Sequence, residues 1–139
     1  MIAVGVGCRA ACPVSDIVGV VTDSLSSHGC ELGEVQAVYS AAFKAGAENL
    51  ERAAAELGKP LVLLSSESLA GQAHAVLTFS AQVAARFNLP ALAETAALAG
   101  AFELAGKKGA AQLLGARRAR GGATCALARV PELSIRSEP

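Results

Sequence analysis

The feature that most constrains this chain is the order strand, helix, strand, helix, strand that closes at Leu64. Residues 2–6 supply Ile2, Ala3, Val4 and Val6, the bulky and β-branched content of a buried strand. Pro13 then precedes Val14, Ile17, Val18, Val21 and Leu25, whose spacings of three and four predict an amphipathic helix to about Ser27, closed by His28 and Gly29. His28 beside that glycine reads as a C-terminal cap rather than a catalyst. Residues 35–40 alternate as a second strand, and Ala47, Leu50, Ala54 and Leu57 mark a second helix stopped by Gly58 and Pro60. Residues 61–64 are a continuous apolar run, suited to a strand covered on both faces. Such an alternation pairs its strands in parallel, and open sheets of this kind bind ligands beyond the carboxyl ends of their strands.

The loops at those ends carry the candidate ligand-binding residues. Gly5 and Gly7 are expected to let the backbone turn or approach a ligand, with Cys8 and Arg9 on the same loop. The GxGxxG fingerprint is incomplete because its third glycine is missing, and the alternative is a plain strand and turn. Ser40 and Lys44 follow the second strand. Ser65 and Ser66 follow the third, where they either hold an anion or cap the helix that Glu67 enters, capping being the simpler reading. His74 sits in an apolar stretch and reads as a core histidine.

A further helical pattern covers residues 91–102, with Glu94 its one charge near the start. Lys107 and Lys108 lie in the next loop. Residues 112–117 and 123–129 read as strands, with Arg118, Ala119, Arg120, Gly121 and Gly122 as the turn of an antiparallel hairpin. The expected fold is a single three-layer α/β/α domain over residues 1–130, with a mixed, mainly parallel sheet, a C-terminal hairpin and a mobile polar tail at 131–139.

Composition narrows the function. The chain has 53% hydrophobic residues and no net formal charge, so it is long and apolar enough to bury a core. One Tyr, four Phe and no Trp argue against stacking platforms for single-stranded nucleic acid. The basic residues gather late, with Lys107, Lys108, Arg117, Arg118, Arg120, Arg129 and Arg136 against Glu132 and Glu138 after Leu104. That excess is too small for a nucleic-acid surface and suits a small polyanion, or else a solvated hairpin tip. Cys8, Cys12, Cys30 and Cys125 form no CxxC pair and have no histidine at metal-ligand spacing, so neither a metal nor another cofactor is expected. The uncharged span between Glu67 and Arg86 is interrupted by Ser68, Gln72, His74 and Ser80 and does not read as a membrane helix; a cytoplasmic protein is expected.

These stretches, in order, resemble the cobalamin-biosynthesis domain found as the stand-alone CobE protein and as the C-terminal half of CbiG. Its G-[IV]-G-C-R loop matches Gly5-Val6-Gly7-Cys8-Arg9, its lysine loop Ser40 and Lys44, and its F-S-x-E-x-L pattern Leu64-Ser65-Ser66-Glu67-Ser68-Leu69. Its V-x-E-x-A-A-L helix start matches residues 92–98, and its closing lysine loop and T-x-A-x-A-R strand match Lys107 or Lys108 and residues 124–129. With no preceding domain, the chain looks like the stand-alone form. Where the family has K-x-D-E, this chain follows Lys44 with Ala45, Gly46 and Ala47 before Glu48.

The resemblance implies a role in corrin ring contraction. The fused form opens a ring-A-derived δ-lactone of a cobalt-containing precorrin and releases acetaldehyde. Three readings stay open for this chain. It binds a precorrin or corrinoid through cationic rims (Arg9, Lys44, Lys107, Lys108, Arg117, Arg118) and escorts it between pathway enzymes; it hydrolyses a lactone with Glu94 or Glu67 as base; or it is a non-catalytic module that docks on a pathway enzyme. Cys8 is a further candidate nucleophile beside Arg9, with no histidine placed to serve it.

Overall fold

Strand β1 runs from Ile2 to Cys8 and is buried along its whole length. It sits at the centre of a six-stranded sheet in the computed structural model, which describes residues 1–9, 11–42, 47–72, 92–106 and 111–130. The other strands are β2 (Val35–Ala41), β3 (Leu61–Leu64), β4 (Gln112–Leu113), β5 (Arg118–Arg120) and β6 (Ala123–Arg129). β1, β2 and β3 pair in parallel, while β6 pairs antiparallel with β1, β4 and β5. The spatial order is β3-β2-β1-β6-β4, with β5 also on β6. The late hairpin therefore completes the middle of the sheet, and the sheet is mixed as expected.

Helices α1 (Val14–Ser27), α2 (Glu48–Leu57), α3 (Ser66–Ala70) and α4 (Leu92–Leu104) cover the two faces. Ile2, Val4 and Val6 point to the layer of α1 and α2, where they meet Ile17, Val20, Val21 and Leu50. Ala3 points to the opposite layer, built on Leu69 of α3 and the alanine-rich α4. Alternation along β1 thus places bulk on one face and small side chains on the other. Helix ends follow local chemistry: Gly29 and Gly58 adopt left-handed φ of 66° and 73° just past α1 and α2, and His28 caps α1 through its backbone N–H.

Three sequence expectations change. β1 continues two residues past Val6, so Gly5 and Gly7 lie inside the strand and not in a loop. A Cβ on Gly5 would overlap the backbone of Ala93 and Ala97, and one on Gly7 would sit 3.5 Å from Leu92. Gly5 thus admits α4 onto the sheet, whereas a Cβ on Gly7 would meet Leu92 only at ordinary contact distance and Thr124 Oγ1 at 3.0 Å. Second, β3 is the edge strand with Val62 36% exposed, so its apolar run does not signal cover on both faces. Third, the strand expected over residues 112–117 is only Gln112–Leu113, Arg118–Arg120 is a strand instead, and the turn is only Gly121 and Gly122, with Gly121 at φ 59°. A two-residue hairpin loop favours glycine because its twist needs positive φ.

Helix α4 is buried from Leu92 to Ala101, including Glu94 and Thr95. An apolar surface on every side is the pattern of a helix enclosed by the rest of the domain. Farther along α4, Gly100 makes room for the ring of Tyr39, whose hydroxyl pKa is raised by burial and by nearby Glu103. Among the described residues no helix is long and apolar enough to cross a membrane. The span from Glu67 to Arg86, the helix expected from Ser80, His74 and the tail at 131–139 lie wholly or mostly outside the described residues.

Gly5→Ala should lower the unfolding free energy by about 3 kcal/mol or more, since the atoms a methyl would meet are backbone and cannot rotate aside. Gly33→Ala, where nothing lies within 4 Å, should change it by less than about 0.5 kcal/mol. Urea titrations of the two variants make the comparison.

Candidate functional site

The parallel pairing of β1, β2 and β3 brings Arg9, Ala42 and Ser65, the residues after each strand, to one rim of the sheet. There the chain leaving β1 is tied down on both sides. The Arg9 N–H donates to the Gly122 carbonyl at 3.1 Å, and the Cys12 N–H donates to the Arg9 carbonyl at 3.1 Å. The Asn49 side-chain amide, in the first turn of α2, donates to the carbonyls of Arg9 at 3.2 Å and Cys12 at 2.9 Å. Between the starts of α1 and α2 a cavity of about 480 Å³ is lined by Cys12 and Pro13 on one side and by Glu48, Asn49 and Arg52 on the other. Asn49 and Arg52 were not singled out in the sequence. Asn49 carried one signal, an amide in the first turn of a helix, where such side chains bond to backbone.

The predicted residues divide between surface and core. Arg9 is exposed, as are Ser65, Ser66 and Glu67. Ser65 caps α3, its hydroxyl oxygen accepting the Ser68 N–H at 3.1 Å, which is the capping reading. Ser40 is fully buried and donates to the Val6 carbonyl at 2.8 Å. Cys8 is buried at the end of β1. Glu94 is 0% exposed, and its carboxylate accepts the backbone N–H of Arg117 at 2.9 Å. Lys44, Lys107 and Lys108 lie outside the described residues. The rim thus gathers Arg9 and the α3 start, while Ser40 and Glu94 face inward.

Arg117 and Arg118 belong to a different place. With Ala119 they form one wall of a cavity of about 620 Å³, whose other wall is Val20, Asp23, Ser26 and Ser27 of α1. Helix α1 runs down this side of the sheet, with Asp16 beside Gly121, Gly19 beside Arg120 and His28 beside Gly115. The cavity therefore lies toward the C-terminal end of α1, whereas Cys12 and Pro13 mark the rim at its start. Of the cationic rim residues expected from the sequence, Arg9 therefore stands apart from Arg117 and Arg118.

Arg120 corrects the expectation that the three arginines of this hairpin form only a solvated tip. It donates to Asp23 Oδ2 at 3.0 Å, and its Nε lies 3.9 Å from Asp16 Oδ1. Its side chain is half exposed, so the pairs add at most about 1 kcal/mol. Reversing Arg117, Arg118 and Arg120 together would set a carboxylate against two others. The signal was present as two acids seven apart, with Gly19 between them on the same face of α1.

None of the four cysteines is in a disulfide, and Cys12, Cys30 and Cys125 are poorly suited to nucleophilic work. Burial pushes Cys12 and Cys30 upward, assisted by Asp16 and Glu34 respectively. Cys125 is wholly buried, and desolvation raises its pKa to about 12, with a smaller opposing effect from Ser24. A reactive cysteine needs the opposite shift.

This mixed α/β/α domain is a known class of fold. Residues 2–128 match the family described as cobalamin synthesis G C-terminus. The crystal structure of CobE, a protein from the cobalamin (vitamin B12) biosynthetic pathway, is similar with a TM-score of 0.87 and 33% identity over 94% of this chain and 91% of that one. Cobalamin biosynthesis protein chiG from Agrobacterium tumefaciens has a TM-score of 0.71 and 24% identity, covering 95% of this chain and 100% of that one. A cobalamin biosynthesis protein G homolog from Sulfolobus solfataricus has a TM-score of 0.59 and 16% identity, over 94% of this chain and 37% of that one. The last two show the fold alone. A comparison with curated protein sequences gave no significant match. The chain belongs to the CobE/CbiG C-terminal family of cobalamin biosynthesis proteins.

The Cys125 thiol makes a pH prediction. Its pKa rises on folding from 9.0 to about 12, so its neutral form stabilises the fold fully below pH 9 and that contribution is lost between pH 9 and 12. Urea midpoints should fall more steeply with pH in this window for the natural chain than for Cys125→Ala.

Proposed function

We propose that this protein binds a precorrin or corrinoid intermediate and passes it between enzymes of the cobalamin pathway. The observation that carries this reading is the cavity in which Arg117 and Arg118 face the Ser26 and Ser27 region of α1. Its volume of about 620 Å³ falls within the range of small-molecule sites, roughly 300–1,000 Å³. Corrin precursors carry acetate and propionate arms around an apolar ring. Guanidinium groups pair bidentately with such carboxylates, and serine hydroxyls donate to oxygens left over. Each charge-assisted contact contributes about 1.5–3 kcal/mol, so a few of them reach micromolar affinity once association costs are met.

The fate of Glu94 favours binding over hydrolysis. A general base must reach the water it activates, and this carboxylate is sealed from solvent with one oxygen on the Arg117 amide. Its position suits it to hold the backbone at the entry to β5, where Arg117 joins the cavity wall. Glu67, exposed on the short helix α3, is the carboxylate left to the hydrolytic reading.

Cobyrinic acid, a coloured corrinoid with free carboxylate arms, should co-elute with the protein on gel filtration and be recovered unchanged. Its fully methylated ester should not. Arg118→Ala should weaken binding about tenfold, the size of one lost charge-assisted contact, and Arg117→Ala should act in the same direction. A new product would favour the hydrolase, and absence of bound pigment would favour a module that docks on another protein.

A further inference from the structure

Asp23 is the one carboxylate among the described residues that line the α1–β5 cavity. It faces a wall that carries Arg117 and Arg118, yet its oxygen is engaged elsewhere. Arg120 is two residues beyond Arg118 on the same strand and is not among the lining residues. Its guanidinium donates to Asp23 Oδ2 at 3.0 Å and lies 3.9 Å from Asp16 through Nε. It reaches them by resting against α1 at Gly19, where a Cβ would come within 2.7 Å of its Cζ. Asp16 and Asp23 stand one turn to either side of that glycine, so a single guanidinium serves both.

Building on the proposed binding cavity, we infer that Arg120 is its specificity-determining residue: by pairing with Asp23 it cancels the cavity's own negative charge. Arg117 and Arg118 then meet the ligand as a net cationic wall. Without Arg120, Asp23 would repel each incoming carboxylate and compete with it for the two arginines. The preference this creates is for free acids over esters or amides of the same ring. It comes from a residue outside the cavity lining, which sets the sign of the field without touching the ligand.

A test independent of any corrinoid uses a thiol placed in the wall. In a Cys12→Ser, Cys30→Ser background, Ser27→Cys supplies it, since Cys8 and Cys125 are buried. Its modification rates with sulfonatoethyl and trimethylammonioethyl methanethiosulfonate, one anionic and one cationic, report the local potential as a ratio. Arg120→Gln should lower the anionic-to-cationic ratio about 2- to 4-fold at low ionic strength, as expected for one unit charge roughly 10–12 Å along α1 from residue 27. Adding Asp23→Asn should bring it back to the natural value or above, because the pair is then neutral again and Asp23 is the nearer of the two charges. Arg120→Lys should keep most of the natural ratio, and Asp23→Asn alone should raise it. An unchanged ratio in Arg120→Gln, a double variant that is not restored, or a fall in Asp23→Asn overturns the inference. The same variants titrated with cobyrinic acid should follow the same order, while its methyl ester binds no variant better than another. If the ratios behave as stated and the natural chain still does not bind cobyrinic acid, the corrinoid reading fails and the charge-cancelling role of Arg120 stands.

Discussion

The close seating of α4 on β1 is the contact on which the rest of the domain depends. The backbone at Ala93 and Ala97 lies where a Cβ of Gly5 would have to go, and Leu92 covers Gly7. Small residues on both partners let a helix and a strand approach more nearly than ordinary side chains allow. The same principle repeats in reverse at Gly100, where the helix yields to the ring of Tyr39. These fits fix where α4 sits along the strand, and a packed core does not tolerate sliding between such complementary shapes.

That seating carries to the opposite side of the sheet. With α4 in register, the Glu94 carboxylate meets the Arg117 amide, so a buried acid holds the segment that leads into β5. From β5, Arg120 reaches across to α1 and pairs with Asp23 and Asp16. The hairpin is thereby held by one layer of helices through its backbone and by the other through a side chain. The cavity lies between the hairpin and α1, with Arg118 on a strand, Arg117 just before it and the two serines on a helix. Regular elements hold such groups at more nearly fixed separations than loops do.

Two helix starts and one hairpin also meet at the rim, and here the organising group is Asn49. Its amide spans two carbonyls of the turn between β1 and α1, that of Cys12 and that of Arg9, which the Cys12 N–H also reaches. Arg9 is left at the surface beside Gly122. The chain thus presents one guanidinium at the rim, near the start of α1, and others farther along that helix on the hairpin side.

Much of the fold was legible in residue order because local periodicity reports which side of an element meets water. The ends of α1 and α2, the cap at Ser65, the parallel half of the sheet and the antiparallel hairpin all rest on such signals, from the three- and four-residue spacing of Val14, Ile17, Val21 and Leu25 to the left-handed Gly29 and Gly58. The same residues left open what each buried face would touch. Gly5 and Gly7 read equally as a ligand loop or as strand, and the difference lay in a helix some ninety residues away. Ser40 and Glu94 carried polar chemistry that looked available for a ligand, yet both are consumed inside the protein, by Val6 and Arg117. Arg120 and Asp23 are 97 residues apart and share no local pattern. Sequence by itself determined the elements, their order and their amphipathic faces, because these depend on neighbours along the chain. Tertiary structure alone decided which polar groups are spent on the fold and which remain for a ligand, because hydrogen bonds and ion pairs form between groups that only packing brings within reach.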